Sequence, residues 1–360
     1  MADANAPSKE ILQNSVIQNS MSELVRRSRA DWTKLGNAHV LLTGGTGFFG
    51  SWILVSFAAL RQEGFPIEMT VLSRDPDSFL AKNPMFQNLA GLTFRKGDVR
   101  DATIPFSITH VLHFATSGSN PDATNPDAEI RSTLIEGTRH MLAEAKRVGA
   151  ARFLFASSGA VYGHGPAAHG RDHSDRPVET GIEARAVRTS YGRAKREAEE
   201  LCHQAAIARD VETVIARAFT FCGPLFPVDG PYVISSFMNS ILNELPIQIK
   251  TPGAIRSFLD GRDLVSALWK LLAEGKSGEA YNVGSDESVT MSDLADIMRS
   301  VSLKVSLRVP EVRVIGSTTH SPDIYRPSIE KLARELGWRP AITLRESLRA
   351  QAEWALENRR

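Results

Sequence analysis

The sequence predicts an α/β fold, a doubly wound parallel sheet with a smaller, discontinuous C-terminal α/β cap. Three observations point there. From Ala38 onward, short apolar runs alternate with longer helical patterns. One buried run leads straight into a glycine-rich turn, and after Gly223-Pro224 the pattern becomes irregular and richer in proline. Strand–helix alternation implies right-handed crossovers and a sheet covered on both faces.

Taken in order, residues 8–35 carry Leu12, Val16, Ile17, Met21, Leu24 and Val25 at helical spacing. That stripe predicts an amphipathic helix packed on the main body or on a second subunit. Strands are expected at Val40–Thr43, Met69–Ser73, Leu92–Arg95, His110–Ala115, Arg152–Ser157 and Thr213–Ala216. Helices are expected near 48–61, 127–148 and 190–208. The chain therefore divides into an N-terminal helical extension (1–37), a nucleotide-binding domain (38–224, with later returns near 255–284) and a cap (225–254 and 285–360).

Composition narrows the function classes. With 360 residues, 42% hydrophobic and 23% charged, the chain can bury a substantial core. A net charge of +1 supplies no field for nucleic acid or an anionic membrane. The apolar stretch Trp52–Leu60 is about half of what a membrane span needs. The start, Met1-Ala2-Asp3-Ala4-Asn5, lacks a basic-then-apolar signal pattern, so a cytoplasmic protein is expected. The two cysteines, Cys202 and Cys222, have no metal-ligand spacing; reduced thiols and no metal are expected.

The sharpest local signal is Val40-Leu41-Leu42-Thr43-Gly44-Gly45-Thr46-Gly47-Phe48-Phe49-Gly50. A strand, a glycine turn and a helix follow one another. Gly44 would permit the tight turn, Gly47 the close approach of a pyrophosphate, and Gly50 the packing of helix on strand. Free N–H groups and the positive helix end would then meet the phosphates. The strand before and the helix after make this a Rossmann-type dinucleotide site by context, although the G-x-x-G-x-x-G spacing differs from the G-x-G-x-x-G of many dehydrogenases. The second strand ends Ser73-Arg74-Asp75. A small residue followed by an arginine accommodates a ribose 2′-phosphate, which favours NADP over NAD.

Tyr191 and Lys195 lie one helical turn apart and share a face. An ammonium beside a phenol favours phenolate, so Tyr191 is a candidate general acid/base. Ser158, at the tip of the fifth strand, is placed to bind the same substrate oxygen.

These motifs resemble the extended short-chain dehydrogenase/reductases, whose T-G-x-x-G-x-x-G fingerprint and Ser/Thr–Tyr–Lys trio are both present. Over residues 38–358 the chain looks like the nucleotide-sugar epimerase/dehydratase/reductase branch. Arg217-Ala218-Phe219 before Gly223-Pro224 supports this, as do Arg256-Ser257-Phe258 with Asp263, Tyr281-Asn282-Val283-Gly284, and Glu335 to Pro340. The resemblance implies that Asp98 and Val99 meet adenine and that Phe114 and Ala115 line the cofactor. Thr46, Phe48 and Phe49 would belong to the phosphate turn. It implies Arg256, with Arg326 and Thr220, as substrate contacts, and a homodimer through helices 127–148 and 190–208.

Departures inform the reaction. Dehydratases of this branch place Asp-Glu after the catalytic threonine and decarboxylases keep a glutamate there, whereas Gly159 and Ala160 stand here and cannot move protons. Unless His164 substitutes, elimination is disfavoured. Thr220 and Leu134 replace family asparagines. The expected activity is hydride transfer at the sugar C4, as a 4-ketoreductase or 4-epimerase. A 4,6-dehydratase with a relocated acid, a reductase of a non-sugar ketone and a non-catalytic nucleotide binder are the alternatives.

Overall fold

The computed structural model describes residues 11–116, 126–163, 189–305, 307–316 and 324–359. Its strands are β1 (His39–Thr43), β2 (Glu68–Ser73), β3 (Leu92–Lys96), β4 (His110–His113), β5 (Arg152–Ser158), β6 (Glu212–Ala218) and β7 (Phe221–Cys222). They continue as β8 (Ile247–Ile249), β9 (Ile255–Ser257), β10 (Leu259–Asp260), β11 (Glu279–Val283), β12 (Ser288–Thr290), β13 (Val312–Val314) and β14 (Ile324–Tyr325). The helices are α1 (Ser15–Leu35), α2 (Phe48–Gln62), α3 (Pro76–Lys82), α4 (Pro126–Val148), α5 (Ser190–Ile207), α6 (Val233–Leu242), α7 (Gly261–Glu274), α8 (Met291–Lys304), α9 (Glu330–Leu336) and α10 (Leu344–Glu357).

Seven parallel strands form the main sheet in the order β11-β6-β5-β4-β1-β2-β3. This is the doubly wound arrangement that the alternation of apolar runs predicts. Strand order reverses between β1 and β4, so the loops after these strands diverge and leave a crevice at their C-terminal ends. The expected fourth strand stops at His113 instead of Ala115. There the Phe114 N–H is shared between the Thr43 carbonyl and Thr43 Oγ1, and the Ala115 N–H donates to Thr43 Oγ1, each at 3.2 Å.

The stripe on α1 finds its partner within the chain. Ile17, Met21, Leu24, Trp32 and Leu35 are buried, and the Trp32 ring meets Trp269 of α7 edge-on at 6.4 Å. Asn14 starts α1 by accepting the Val16 and Ile17 N–H groups. Smaller sheets lie outside the main one. In one, β9 is flanked by β12 antiparallel and β14 parallel; β13 pairs with β8 and β10 with β7. Cys202 and Cys222 are buried free thiols. Among the described residues no helix is long and apolar enough to cross a membrane.

Candidate active site

The turn after β1 explains its own glycines. Gly44 has φ +70, and a Cβ there would lie 2.7 Å from the Phe114 backbone. A Cβ on Gly50 would come within 2.3 Å of Gly45, so this glycine seats α2 on the turn itself and not on the strand. Gly47 is different: its Cβ would meet only Gly44 O, at 3.6 Å. It is also the N-cap of α2 and offers no side-chain cap, so it leaves the first-turn N–H groups to a ligand. Open space beside an uncapped helix start is the environment a pyrophosphate requires. Phe48 and Phe49 turn their rings into an aromatic cluster, at 5.1 Å from Phe226 and 4.9 Å from Phe221; what they present to a phosphate is backbone.

A cleft of about 430 Å³ opens beside this turn, lined by Thr46, Ser73, Arg74, Ser78 and Lys82 among others. Asp75 contributes to its wall, but its carboxylate accepts the Ser78 N–H at 3.1 Å and caps α3. Asp98 is held by Arg100 through two 2.8 Å hydrogen bonds, which keep its carboxyl below the usual range. Val99 is buried at the end of this segment, and Phe114 and Ala115 are buried at the end of β4.

Ser158 ends β5 and caps the following turn by accepting the Ala160 N–H at 3.2 Å. Thr189 starts α5 by accepting the Gly192 N–H at 3.1 Å, which orients Tyr191 and Lys195 toward β5. Tyr191 lies close enough to Ser158 for the serine hydroxyl to favour its phenolate. Lys195 is buried, donates to the Ala156 carbonyl at 2.5 Å and lies 5.7 Å from the Tyr191 ring. All three members of the trio thus converge at one strand tip.

Their electrostatics differ from the expectation. Tyr191 is pushed up to about 12, because desolvation outweighs the influence of Ser158. Lys195 is pushed down to about 7 by burial, which Glu199 only partly opposes. The ammonium is turned to a backbone carbonyl, so it does not depress the phenol in this arrangement.

Arg256 lies in β9, directly opposite Tyr325 of β14, and its Nη1 donates to the Ile255 carbonyl at 2.8 Å. Arg326 follows, with Nη1 at 3.5 Å from Ser288 Oγ. The Thr220 hydroxyl donates to the Ser257 carbonyl, a bond between backbone segments that it would have to leave to touch a sugar. His164 lies outside the described residues.

Two features were not visible in sequence. Tyr325 brings a second phenol to the strand tip, beside Gly159. A Cβ on Gly159 would come within 2.5 Å of the Tyr325 hydroxyl and 2.7 Å of the Phe219 ring. Behind the strand tip, Arg217 makes a buried fork with Glu199, with Nη2 at 2.7 Å. Glu199 had a legible signal, four residues beyond Lys195 on the same helical face; Tyr325 had none, because its two-residue strand has no periodicity.

Known proteins resemble this chain over most of its length. Residues 40–284 match the profile described as the NAD dependent epimerase/dehydratase family. UDP-glucuronic acid decarboxylase 6 of Arabidopsis thaliana is 30% identical over 319 residues, 87% of each chain. UDP-glucuronic acid decarboxylase 1 of Danio rerio is 29% identical, over 86% of this chain and 70% of its own. Among solved structures, UDP-glucuronic acid 4-epimerase from Bacillus cereus, in complex with UDP-glucuronic acid and NAD, superposes with a TM-score of 0.72 at 20% identity, over 89% of this chain and 99% of that one. A dTDP-glucose 4,6-dehydratase from Streptomyces venezuelae with NAD bound gives 0.72 at 22% identity, over 89% and 98%.

Proposed function

Because the chain belongs to the NAD dependent epimerase/dehydratase family, we propose that it oxidises or reduces C4 of a nucleotide sugar, acting as a 4-ketoreductase or 4-epimerase. The observation that carries this reading is the convergence of Ser158 at the β5 tip with Tyr191 and the buried Lys195, one turn apart on α5. When bound, a nicotinamide dinucleotide supplies the hydride acceptor or donor. The protein does the rest. Tyr191 takes or gives the proton of the C4 oxygen, and Ser158 orients that oxygen. Lys195 would bind the nicotinamide ribose, and an ammonium turned from the Ala156 carbonyl toward Tyr191 would favour the phenolate. The open turn at Gly47 would hold the pyrophosphate, with the adenine end toward Asp98 and Val99. Arg256, from the returning stretch 255–284, and Arg326, from the segment 285–360 read as part of the cap, would meet the sugar diphosphate.

NADP(H) is favoured over NAD(H). Arg74 and Lys82 line the cleft, while the one carboxylate in its wall is committed to a helix cap. An arginine–phosphate contact is worth roughly 1.5–3 kcal/mol. Arg74→Ala should therefore weaken NADP(H) roughly tenfold or more and leave NAD(H) unchanged, as read by calorimetry. Equal losses for both would remove the preference.

A second reading, decarboxylation, is favoured by the identity of 30% across 87% of a UDP-glucuronic acid decarboxylase. Oxidising C4 of a uronic acid makes a β-keto acid, whose loss of CO₂ sends electrons to the oxygen held by Tyr191 and Ser158. That step needs a proton returned at C5, which Gly159 and Ala160, standing where decarboxylases keep a glutamate, cannot supply. One experiment tests both readings: incubation with a panel of sugar nucleotides, UDP-glucuronic acid included, and with their 4-keto forms, following NAD(P)H absorbance and product mass. Product with the starting mass marks an epimerase, stoichiometric cofactor consumption a reductase, and loss of CO₂ a decarboxylase. If nothing in the panel reacts and no nucleoside diphosphate binds, the nucleotide-sugar assignment falls. A homodimer through α4 and α5 completes the reading; a monomer on sedimentation would remove it.

A further inference from the structure

Asp98 has little left to offer a ligand, and Arg100 decides what remains. Asp98 lies two residues beyond β3, where the Gly97 N–H still donates to the Ser73 carbonyl at 2.9 Å. It therefore stands at the C-terminal edge of the sheet, next to the end of β2 and the cleft that Ser73 and Arg74 line. Open α/β sheets bind ligands beyond that edge. A carboxylate has about four acceptor positions. Arg100 fills most of them: its backbone N–H and Nε reach Oδ1 at 2.9 and 2.8 Å, and Nη2 reaches Oδ2 at 2.8 Å. Among the described residues no other donor reaches these oxygens, so one acceptor position remains, on Oδ2.

The fork is fixed from both sides. The Asp98 carbonyl accepts the Asp101 and Ala102 N–H groups at 3.2 and 2.9 Å, closing the turn that carries Arg100. On the far side, Arg100 Nη1 meets Glu129 Oε1 at 3.3 Å and Ser132 Oγ at 3.4 Å, both in the first two turns of α4. A planar guanidinium gripped at both ends has one orientation, and a bidentate pair passes that orientation to its carboxylate. The side chains of Arg100 and Asp98 are 32% and 22% exposed, so the pair borders solvent and is open to a ligand.

We propose that Arg100 is a positioning residue for the adenine of the cofactor, fixing Asp98 so that Oδ2 presents a single acceptor to the 6-amino group. The inference rests on the dinucleotide reading above, with the adenine end toward Asp98. One acceptor matches one amino N–H. Adenine carries that group at C6, whereas hypoxanthine sets a carbonyl oxygen there, acceptor against acceptor. The Asp98–Arg100 pair is neutral as a unit, so it contributes direction and not net charge.

The test is calorimetry on the full chain with NADH, NADPH and their hypoxanthine counterparts. The wild type should bind the adenine form of whichever dinucleotide it takes roughly tenfold tighter, the effect of one hydrogen bond to a charged group. Arg100→Met frees the carboxylate to turn and should cut that preference to roughly twofold. Arg100→Lys keeps the charge without the fork and should recover little of it. Asp98→Ala should abolish the preference, and adding Arg100→Met to it should change the ratio no further, because the arginine acts only through Asp98.

An arginine that merely supports the turn would weaken the adenine and hypoxanthine forms alike. An unchanged ratio in Arg100→Met would therefore overturn the role. Should that variant fail to fold, Arg100→Lys decides in the same way, a full wild-type ratio being the adverse result. If the wild type binds adenine and hypoxanthine forms equally, the dinucleotide reading stands and this role alone falls. If neither form of either dinucleotide binds, the dinucleotide reading fails and takes this role with it.

Discussion

His113 shows how one buried side chain can set both geometry and pH response. It is fully buried between Thr43 at 2.9 Å and Thr138 at 3.2 Å. Thr43 Oγ1 already accepts the N–H groups of Phe114 and Ala115, so its own proton goes to Nδ1 of the ring, and Nε2–H donates to Thr138. The histidine is thus a neutral core residue joining β1, β4 and α4, not a cofactor ligand. Burial lowers it from 6.5 to about 3, and His110 nearby falls to about 4. The unfolded chain binds these protons first, so stability is complete above the ordinary histidine range and declines as pH falls from about 6.5 toward 3. The expected loss is of the order of a few kcal/mol. His113→Gln keeps a donor and an acceptor but cannot titrate. Its unfolding midpoint should start lower and fall less steeply between pH 6.5 and 4 than the wild type's. Parallel slopes would mean that His113 is not the group responsible.

At the scale of elements, α1 is a structural member of the main hydrophobic core. Its Arg27 pairs with Asp263 of α7, whose carboxylate is fully buried and also accepts the Ala341 and Ile342 N–H groups at 3.0 Å each. One carboxylate thereby ties the N-terminal helix, α7 and the approach to α10. Burial raises the Asp263 pKa, and Arg27 is the main influence opposing it. Arg27→Met should cost roughly 3–5 kcal/mol, because a buried charge loses its partner. Arg27→Met with Asp263→Asn should recover part of that loss in the same denaturation experiment, and no recovery would place the defect in packing instead. The sequence made α1 legible through Ile17, Met21 and Leu24, yet left its partner open, since an apolar stripe names no counterpart. The strands of the main sheet were legible for a similar reason: runs such as Val40–Thr43 are apolar on both faces. The small sheets were not. Strands of two or three residues, such as β9 and β14, carry no period, and their pairing is decided by contacts far apart in sequence.

Across the whole molecule, a single polar chain joins the two ends of the candidate site. Ser157 donates to Glu199, and Arg217 grips the same carboxylate through Nε at 3.0 Å and Nη2 at 2.7 Å. Arg217 Nη1 reaches the Tyr162 hydroxyl at 3.0 Å, Tyr162 donates to Asn282 at 2.8 Å, and Asn282 donates to the Ser328 carbonyl at 3.0 Å. The path runs from α5 beside Lys195, through β5, β6 and β11, to the segment that carries Tyr325. Nothing in the sequence announced it. Arg217 reads as part of a family motif and Glu199 as an ordinary helical glutamate, and only their meeting across the sheet makes them a pair. Both are desolvated, with side-chain exposures of 2% and 5%, so the pair adds little net stability while either member alone is costly. Arg217→Met should lose roughly 3–5 kcal/mol, whereas Arg217→Met with Glu199→Gln should lose clearly less. Ser157 is hydrogen-bonded to Glu199 and adjoins Ser158, so the double variant should still perturb the site even where stability returns. Chemical denaturation of the three variants reads the first effect, and cofactor affinity by calorimetry reads the second. If the double variant is as unstable as Arg217→Met alone, Glu199 is not the charge that Arg217 compensates, and the buried path does not join the strand tip to the C-terminal segment electrostatically.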